Sequence, residues 1–134
     1  MSQKTSSTMR YNGDYFLPMP VLPVQLALQD AAPLPVPQWA IVDTGADASI
    51  VAKSLLEEVG ATEIYTVGVR AHLHEEVIEA GVYQIDLVLF GTIRIPDVEV
   101  VCDNLNDGIL LGRDVLNLLR IHLDGLDKTL SLLD

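Results

Sequence analysis

A chain of 134 residues, 49% hydrophobic and with a mean hydropathy of +0.32, is long enough for one packed domain and short for a two-lobed enzyme. Its net charge of −11 and pI near 4.4 repel phosphate backbones and anionic membranes, so neither nucleic acid nor membrane is an expected partner. No apolar run reaches membrane-spanning length, and the opening MSQKTSSTMR is polar with no signal-like apolar segment, so a cytoplasmic protein is expected. With aromatics at 5%, the core must be built from Leu, Val and Ile. Cys102 is the only cysteine and lies in the apolar run VEVVC, where it reads as a buried structural thiol.

Residues 1–14 read as a flexible polar arm and 15–134 as the domain. Six of the seven prolines fall between Pro18 and Pro37. Between them Val21 to Leu28 alternates as a strand, with its proline suggesting an edge position. Trp39 to Val42 forms a second strand. The segment ASIVAKSLLEEVGA predicts a short strand and a short helix, with Ser54 and Glu57 as a capping box and Gly60 as the stop. From Ile64 to Val101 the alternation is strand-like throughout, NLNDG is a turn, and ILLGRDVLNLLR starts as a strand and turns helical after Gly112. IHLDGLDKTLSLL closes the chain as a hairpin. The sum is mostly β with one or two short helices.

The stretch WAIVDTGADASI drives an apolar strand into a carboxylate, a hydroxyl and a glycine. A charged group at the end of a buried strand is costly unless the site needs it. The strand would hold Asp43 rigidly, and Gly45 would let the backbone turn without crowding it. Two such loops face to face would place two carboxylates within hydrogen-bonding reach. A pair so close holds one proton between them, so one member can act as general base on water while the other polarises a carbonyl.

IVDTGAD, from Ile41 to Asp47, and ILLGRDVL, from Ile109 to Leu116, together resemble the motifs of the retroviral-type (retropepsin-like) aspartic proteases. The resemblance covers roughly Val21 to the C-terminus. It implies a closed or partly open acid-protease β-barrel with one lobe per chain. It makes Asp43 the catalytic residue, with Thr44, Gly45, Ala46, Asp47, Gly112 and Arg113 supporting the loop. Thr44 would bridge the two loops, Gly45 would contact substrate backbone, and Asp47 and Arg113 would form an ion pair. A guanidinium following an apolar strand and a glycine is best satisfied by a carboxylate, which favours that pair independently. Gly112 would permit close packing beside the Asp-Thr-Gly loop.

The chain has no second Asp-[Ser/Thr]-Gly, so the expected enzyme is a homodimeric aspartic endopeptidase with Asp43 from each subunit. The C-terminal TLSLL is a candidate strand for closing the dimer. An extended polypeptide is the expected substrate, with Ile41, Ile50, Gly68, Leu110 and Ala46 along its cleft and no metal or organic cofactor. The flap of such an enzyme would fall between Val67 and Val77, with its tip at Gly68 or at 71–75. His72 and His74, with Glu75 or Glu76, read as a polar hairpin tip rather than a metal site. His122 and Asp114 read as a surface or structural histidine and a helix N-terminal acid. Trp39, Tyr83 and the segment VLNLL read as packing. The start at Met1, with no polyprotein-like flank, leads us to expect a free-standing cellular or bacterial-like member. The alternative is a non-catalytic module of the same fold that dimerises or binds peptides.

Overall fold

The computed structural model describes residues 5–70 and 76–133. In chain order the elements are β1 (Thr5–Arg10), β2 (Val21–Ala27), β3 (Gln38–Val42), β4 (Ile50–Ala52), α1 (Lys53–Val59), β5 (Glu63–Arg70), β6 (Val77–Leu89), β7 (Ile93–Asp103), β8 (Ile109–Leu111), α2 (Arg113–Leu116), β9 (Arg120–Asp124) and β10 (Thr129–Leu133).

The larger sheet runs β2-β3-β8-β4-β7-β6-β5, and a further pairing of β2 with β6 closes six of these strands into a barrel. Closure depends on β2 serving two neighbours. Val21 to Val24 pairs with β3, and Val24 to Ala27 pairs with β6. β2 is therefore not the edge strand that its proline suggested. Pro23 lies in the half that β6 does not reach, where its missing N–H interrupts no β6 ladder. Side chains from all six barrel strands form the core, with Leu22, Leu26, Ile85, Leu87, Leu89, Val100 and Leu111 among its fully buried members.

α1 plugs this core with Leu55 and Leu56 and ends at Gly60, whose φ of 81° only glycine adopts at no cost. The expected capping box does not form. β4 runs straight into the helix, so Ala52 is the cap residue and Ser54 already lies inside the first turn. α2 is a single turn. Val115 and Leu116 are buried as expected, but Leu118 projects outward at 67% exposure. Tyr83 packs on the core, whereas Trp39 stands 57% exposed on the outer face of β3. Cys102 is buried, and burial pushes its thiol pKa up, away from reactivity. No helix among the described residues is long and apolar enough to cross a membrane.

The second sheet is β1-β10-β9. Residues 5–10 are thus a strand rather than a loose arm. Met9, Leu130 and Leu123 line up across its inner face, beside Leu132 and Ile121, while Thr8 bonds Ser131 on the outer face at 3.0 Å. Pairing with a Leu-rich partner orders a Thr- and Ser-rich segment that has only Met9 to bury.

One buried carboxylate ties the barrel together away from the motifs. Asp86, 2% exposed, sits at an irregularity in the β6–β7 ladder. It accepts the Arg94 Nε–H at 2.8 Å and the Asp97 N–H at 3.0 Å, and Arg94 also donates to the Leu28 carbonyl. Burial alone would raise the Asp86 pKa, but the Asp97 N–H, the Arg94 guanidinium and the Asp30 backbone outweigh it and hold it below the ordinary carboxylate value. Asp103 is lowered likewise, its Leu105 and Asn106 bonds outweighing burial. A lowered native pKa adds stability in full above the unfolded value near 4, which is lost as pH falls through the native value. Asp86→Asn is expected to cost about 2 kcal/mol at pH 7, measured by urea unfolding. The cost should shrink progressively below about pH 4, and a pH-independent cost would rule out this ionic role.

Candidate active site

Asp43 leaves the end of β3, whose neighbours β2 and β8 hold it in register. Its N–H donates to the Leu111 carbonyl at 3.0 Å, which extends the β3–β8 pairing to the carboxylate itself. The chain then turns at once. Asp43 Oδ1 accepts the Gly45 N–H at 2.9 Å, and the Asp43 carbonyl accepts the Ala46 N–H at 3.3 Å. A Cβ on Gly45 would lie 3.2 Å from Asp43 Oδ1, so glycine keeps the carboxylate uncrowded. Asp43 is half-buried and Thr44 and Gly45 are exposed, so the loop presents its polar groups at the mouth of the barrel.

Three contacts from the β8–α2 segment hold this loop from beneath. The Arg113 guanidinium donates to the Thr44 carbonyl at 2.8 Å and pairs with the Asp47 carboxylate. The pair is open to solvent, Asp47 especially, so its value lies in orienting the loop more than in stability. The Arg113 N–H donates to the Ala46 carbonyl at 2.9 Å. Gly112 makes the approach possible, because a Cβ there would lie 2.7 Å from both the carbonyl carbon and oxygen of Ala48.

A further contact was not read from the sequence. Ser49 is fully buried, donates its hydroxyl to Asp114 Oδ1 at 2.8 Å and accepts the Gly112 N–H at 3.0 Å. Asp114 Oδ2 accepts the Ser49 N–H at 3.0 Å, and Oδ1 also accepts the Val115 N–H. Asp114 thus lies in the first turn of α2, the helix N-terminal acid that was expected, and also clamps the two motifs together across 65 positions of sequence. The serine six positions after Asp43 and the aspartate after Gly112-Arg113 were both visible, but nothing in either run pairs them. Ser49→Ala is expected to strand the Gly112 N–H and cost about 1–3 kcal/mol in urea unfolding, and an unchanged midpoint would show that the clamp carries no weight.

The residues expected to line a cleft separate into two adjoining hollows. Ile41, Ile50 and Leu110 meet in an apolar cavity of about 260 Å³ bordered by Asp103, Asn106 and Gly108. Gly45, Ala46, Asp47 and Ile50 face Gly68, Val69 and Arg70 across one of about 520 Å³. Ile50 lines both, so the two hollows adjoin, and the larger one borders the Asp43 loop at Gly45 and Ala46. Its far wall is β5, the first strand of the β5–β6 hairpin. Gly68 is not its tip. It lies within β5 opposite Glu79, where a Cβ would meet Val77 at 2.6 Å. The expected tip at 71–75, with His72, His74 and Glu75, lies outside the described residues.

Comparison with known proteins defines the class first. A closed barrel with this loop at its mouth is the retropepsin-like fold. The chain is similar to the crystal structure of a retropepsin-like aspartic protease from Rickettsia conorii, with a TM-score of 0.65 and 18% identity over 99% of this chain and 94% of that one. It is similar to the retroviral protease-like domain of Ddi1 from Leishmania major, with a TM-score of 0.55 and 20% identity over 85% and 91%. It is also similar to EIAV protease in complex with the inhibitor HBY-793, with a TM-score of 0.53 and 18% identity over 81% and 92%. No curated protein matches the sequence. Residues 36–118 match the family described as "gag-polyprotein putative aspartyl protease", and the chain belongs to that family.

Proposed function

We propose that the protein is an aspartic endopeptidase, active as a homodimer in which each chain supplies one Asp43. The observation that carries this reading is the support of the Asp43 loop. Arg113, Gly112 and the Ser49–Asp114 clamp hold a half-buried carboxylate at the end of a barrel strand, in a loop that borders one hollow and adjoins a second, apolar one. Such rigidity suits a group that must meet a second copy of itself at hydrogen-bonding distance.

Two facing Asp43 carboxylates would share one proton and titrate as a unit. The ionised member takes a proton from water as that water attacks the scissile carbonyl. The protonated member donates to the carbonyl oxygen as charge develops there. The substrate lies extended, with backbone bonds to the hairpin above and the loop below, and with apolar side chains in the hollow of Ile41, Ile50 and Leu110. The test is cleavage of an unbiased peptide mixture from about pH 3 to 7. Cleavage should rise as pH falls into the range where one shared proton is held, and the products would report side-chain preference. No cleavage at any pH by folded, dimeric protein would refute the reading.

A further inference from the structure

An apolar row crosses four strands of the barrel beside the Asp43 loop. Ile41 pairs with Leu110, Leu110 with Ile50, and Ile50 with Val101. All four are half-buried, whereas Val42, Leu111, Val51 and Cys102, the next residues along each strand, are buried. Strand alternation therefore turns the row away from the core.

Asp43 and Asp103 share this face, because each stands two residues beyond a member of the row, Ile41 and Val101. They lie on opposite sides of it. β3 and β8 run parallel, β4 runs antiparallel to β8, and β7 runs parallel to β4. Forward along β7 thus leads away from the end of the barrel where β3 delivers Asp43. Gly108, which precedes β8, lies on the same far side as Asp103.

The cavity of about 260 Å³ joins these parts. Ile41, Ile50 and Leu110 are its apolar wall, and Asp103, Asn106 and Gly108 border it beyond the row. A side chain entering from the Asp43 side crosses apolar surface first and meets Asp103 last. Two residues of strand, about 7 Å, separate the row from Asp103, so only a long side chain spans the distance.

The Asp103 carboxylate keeps its charge and a place for one more donor. Its Oδ1 accepts the Leu105 N–H at 2.8 Å and the Asn106 N–H at 3.2 Å, and its Oδ2 accepts the Asn106 side-chain amide at 2.9 Å. These donors are neutral, and a carboxylate offers about four lone-pair sites, so a site remains on Oδ2. Burial would raise the Asp103 pKa, but the Leu105 and Asn106 bonds outweigh it, so the charge persists further into acid than that of an ordinary carboxylate. Among the described residues no cation lines the cavity, and the run from Asp103 to Gly108 adds Asp107 and no basic residue. The net charge of −11 favours the approach of cationic peptides in general.

An ammonium suits this carboxylate better than a guanidinium. Arginine forks across both carboxylate oxygens, and Oδ1 is already taken twice. Lysine carries a compact charge at the end of a flexible apolar stem.

We propose that this cavity is a lysine-selecting subsite, in which the stem of a substrate lysine lies on Ile41, Leu110 and Ile50 and its ammonium donates to Asp103 Oδ2. This rests on the protease reading and narrows its substrates to polypeptides with lysine near the cut bond. The adjoining hollow carries both Asp47 and Arg70 and so has no such single-sign character.

The test uses the full chain and short labelled peptides, apolar throughout except at one position that is moved along the sequence. That position holds lysine, ε-acetyl-lysine, norleucine or arginine. Cleavage is read as kcat/KM and binding by fluorescence anisotropy. Where the varied side chain fills the cavity, lysine should exceed norleucine and ε-acetyl-lysine by about tenfold, with arginine between. Asp103→Asn keeps an oxygen for the two turn N–H groups and removes the charge, so the lysine-to-norleucine ratio should fall to within about threefold of one. If that variant fails to fold, the peptide comparison on the wild-type protein decides alone. Equal handling of lysine and norleucine at every position, or a ratio unchanged in Asp103→Asn, would overturn the subsite while cleavage itself upheld the protease reading. Lysine-selective binding without cleavage would uphold the subsite and sink the protease reading. Neither binding nor cleavage of any peptide would overturn both.

Discussion

Asp43→Asn is expected to reduce peptide cleavage by about 10²- to 10⁴-fold, the range general acid–base groups contribute, while leaving a folded protein. Asparagine keeps the shape of aspartate, and its side-chain oxygen can still accept the Gly45 N–H that shapes the loop. On the dimeric reading, what it removes is the proton that two facing carboxylates would share. Neither remaining amide can take a proton from water, so the loss should be in kcat at every pH from about 3 to 7. Stability should move the other way. Removing two carboxylates from mutual contact relieves repulsion, so the melting temperature at neutral pH is expected to equal or exceed that of wild type. A lower one would argue that the Asp43 residues do not face each other.

Gly112→Ala is the second large effect, and it acts through sterics alone. The backbone at Gly112, with φ −94° and ψ −174°, suits any residue, so no conformational strain is involved. The added methyl would stand 2.7 Å from the Ala48 carbonyl carbon and oxygen and 3.0 Å from the Ala46 carbonyl oxygen, all of them backbone that cannot swing aside. The two motif segments must part. That lengthens the Arg113 N–H bond to Ala46 and the Gly112 N–H bond to Ser49 together. We expect a loss of about 2–3 kcal/mol, at the upper end for an overpacked site, in urea unfolding. Cleavage should fall further than stability explains, because the loop that aims Asp43 is displaced. A variant with wild-type stability and rate would mean that the loop parts from Gly112 at no cost, and would overturn this steric account.

The parts of the site visible in the sequence are those whose signal is local. Asp43 to Gly45 announces itself because a carboxylate, a hydroxyl and a glycine interrupt an apolar strand within three positions. Gly112 and Arg113 do so because a strand ends in a residue with no side chain and one with a full charge. The Ser49–Asp114 clamp was not visible, since a buried serine and a helix-starting acid are each ordinary and only the fold brings them to 2.8 Å. β1 was missed for a related reason. Its alternation has one apolar member in Met9, and its order comes from β10, more than a hundred residues away. The capping box failed because the pattern was right and the frame was not: the strand before α1 leaves no loop in which Ser54 could stand outside the helix. Trp39 was read as packing, and strand alternation turns it outward.

The parallel pairing of β3 with β8 sets Ala40 beside Ile109, 69 positions along the chain. Contacts that close so large a loop form late, because their entropy must be met before they return any stability. The Asp43 carboxylate is aimed by a bond to Leu111 and propped by residues 112–114, so a growing or truncated chain that ends before this segment carries the aspartate without its setting. Maturation of the site is therefore coupled to completion of the barrel. On the protease reading proposed above, an unfinished polypeptide would be inert, and the order of synthesis itself would guard against premature cleavage.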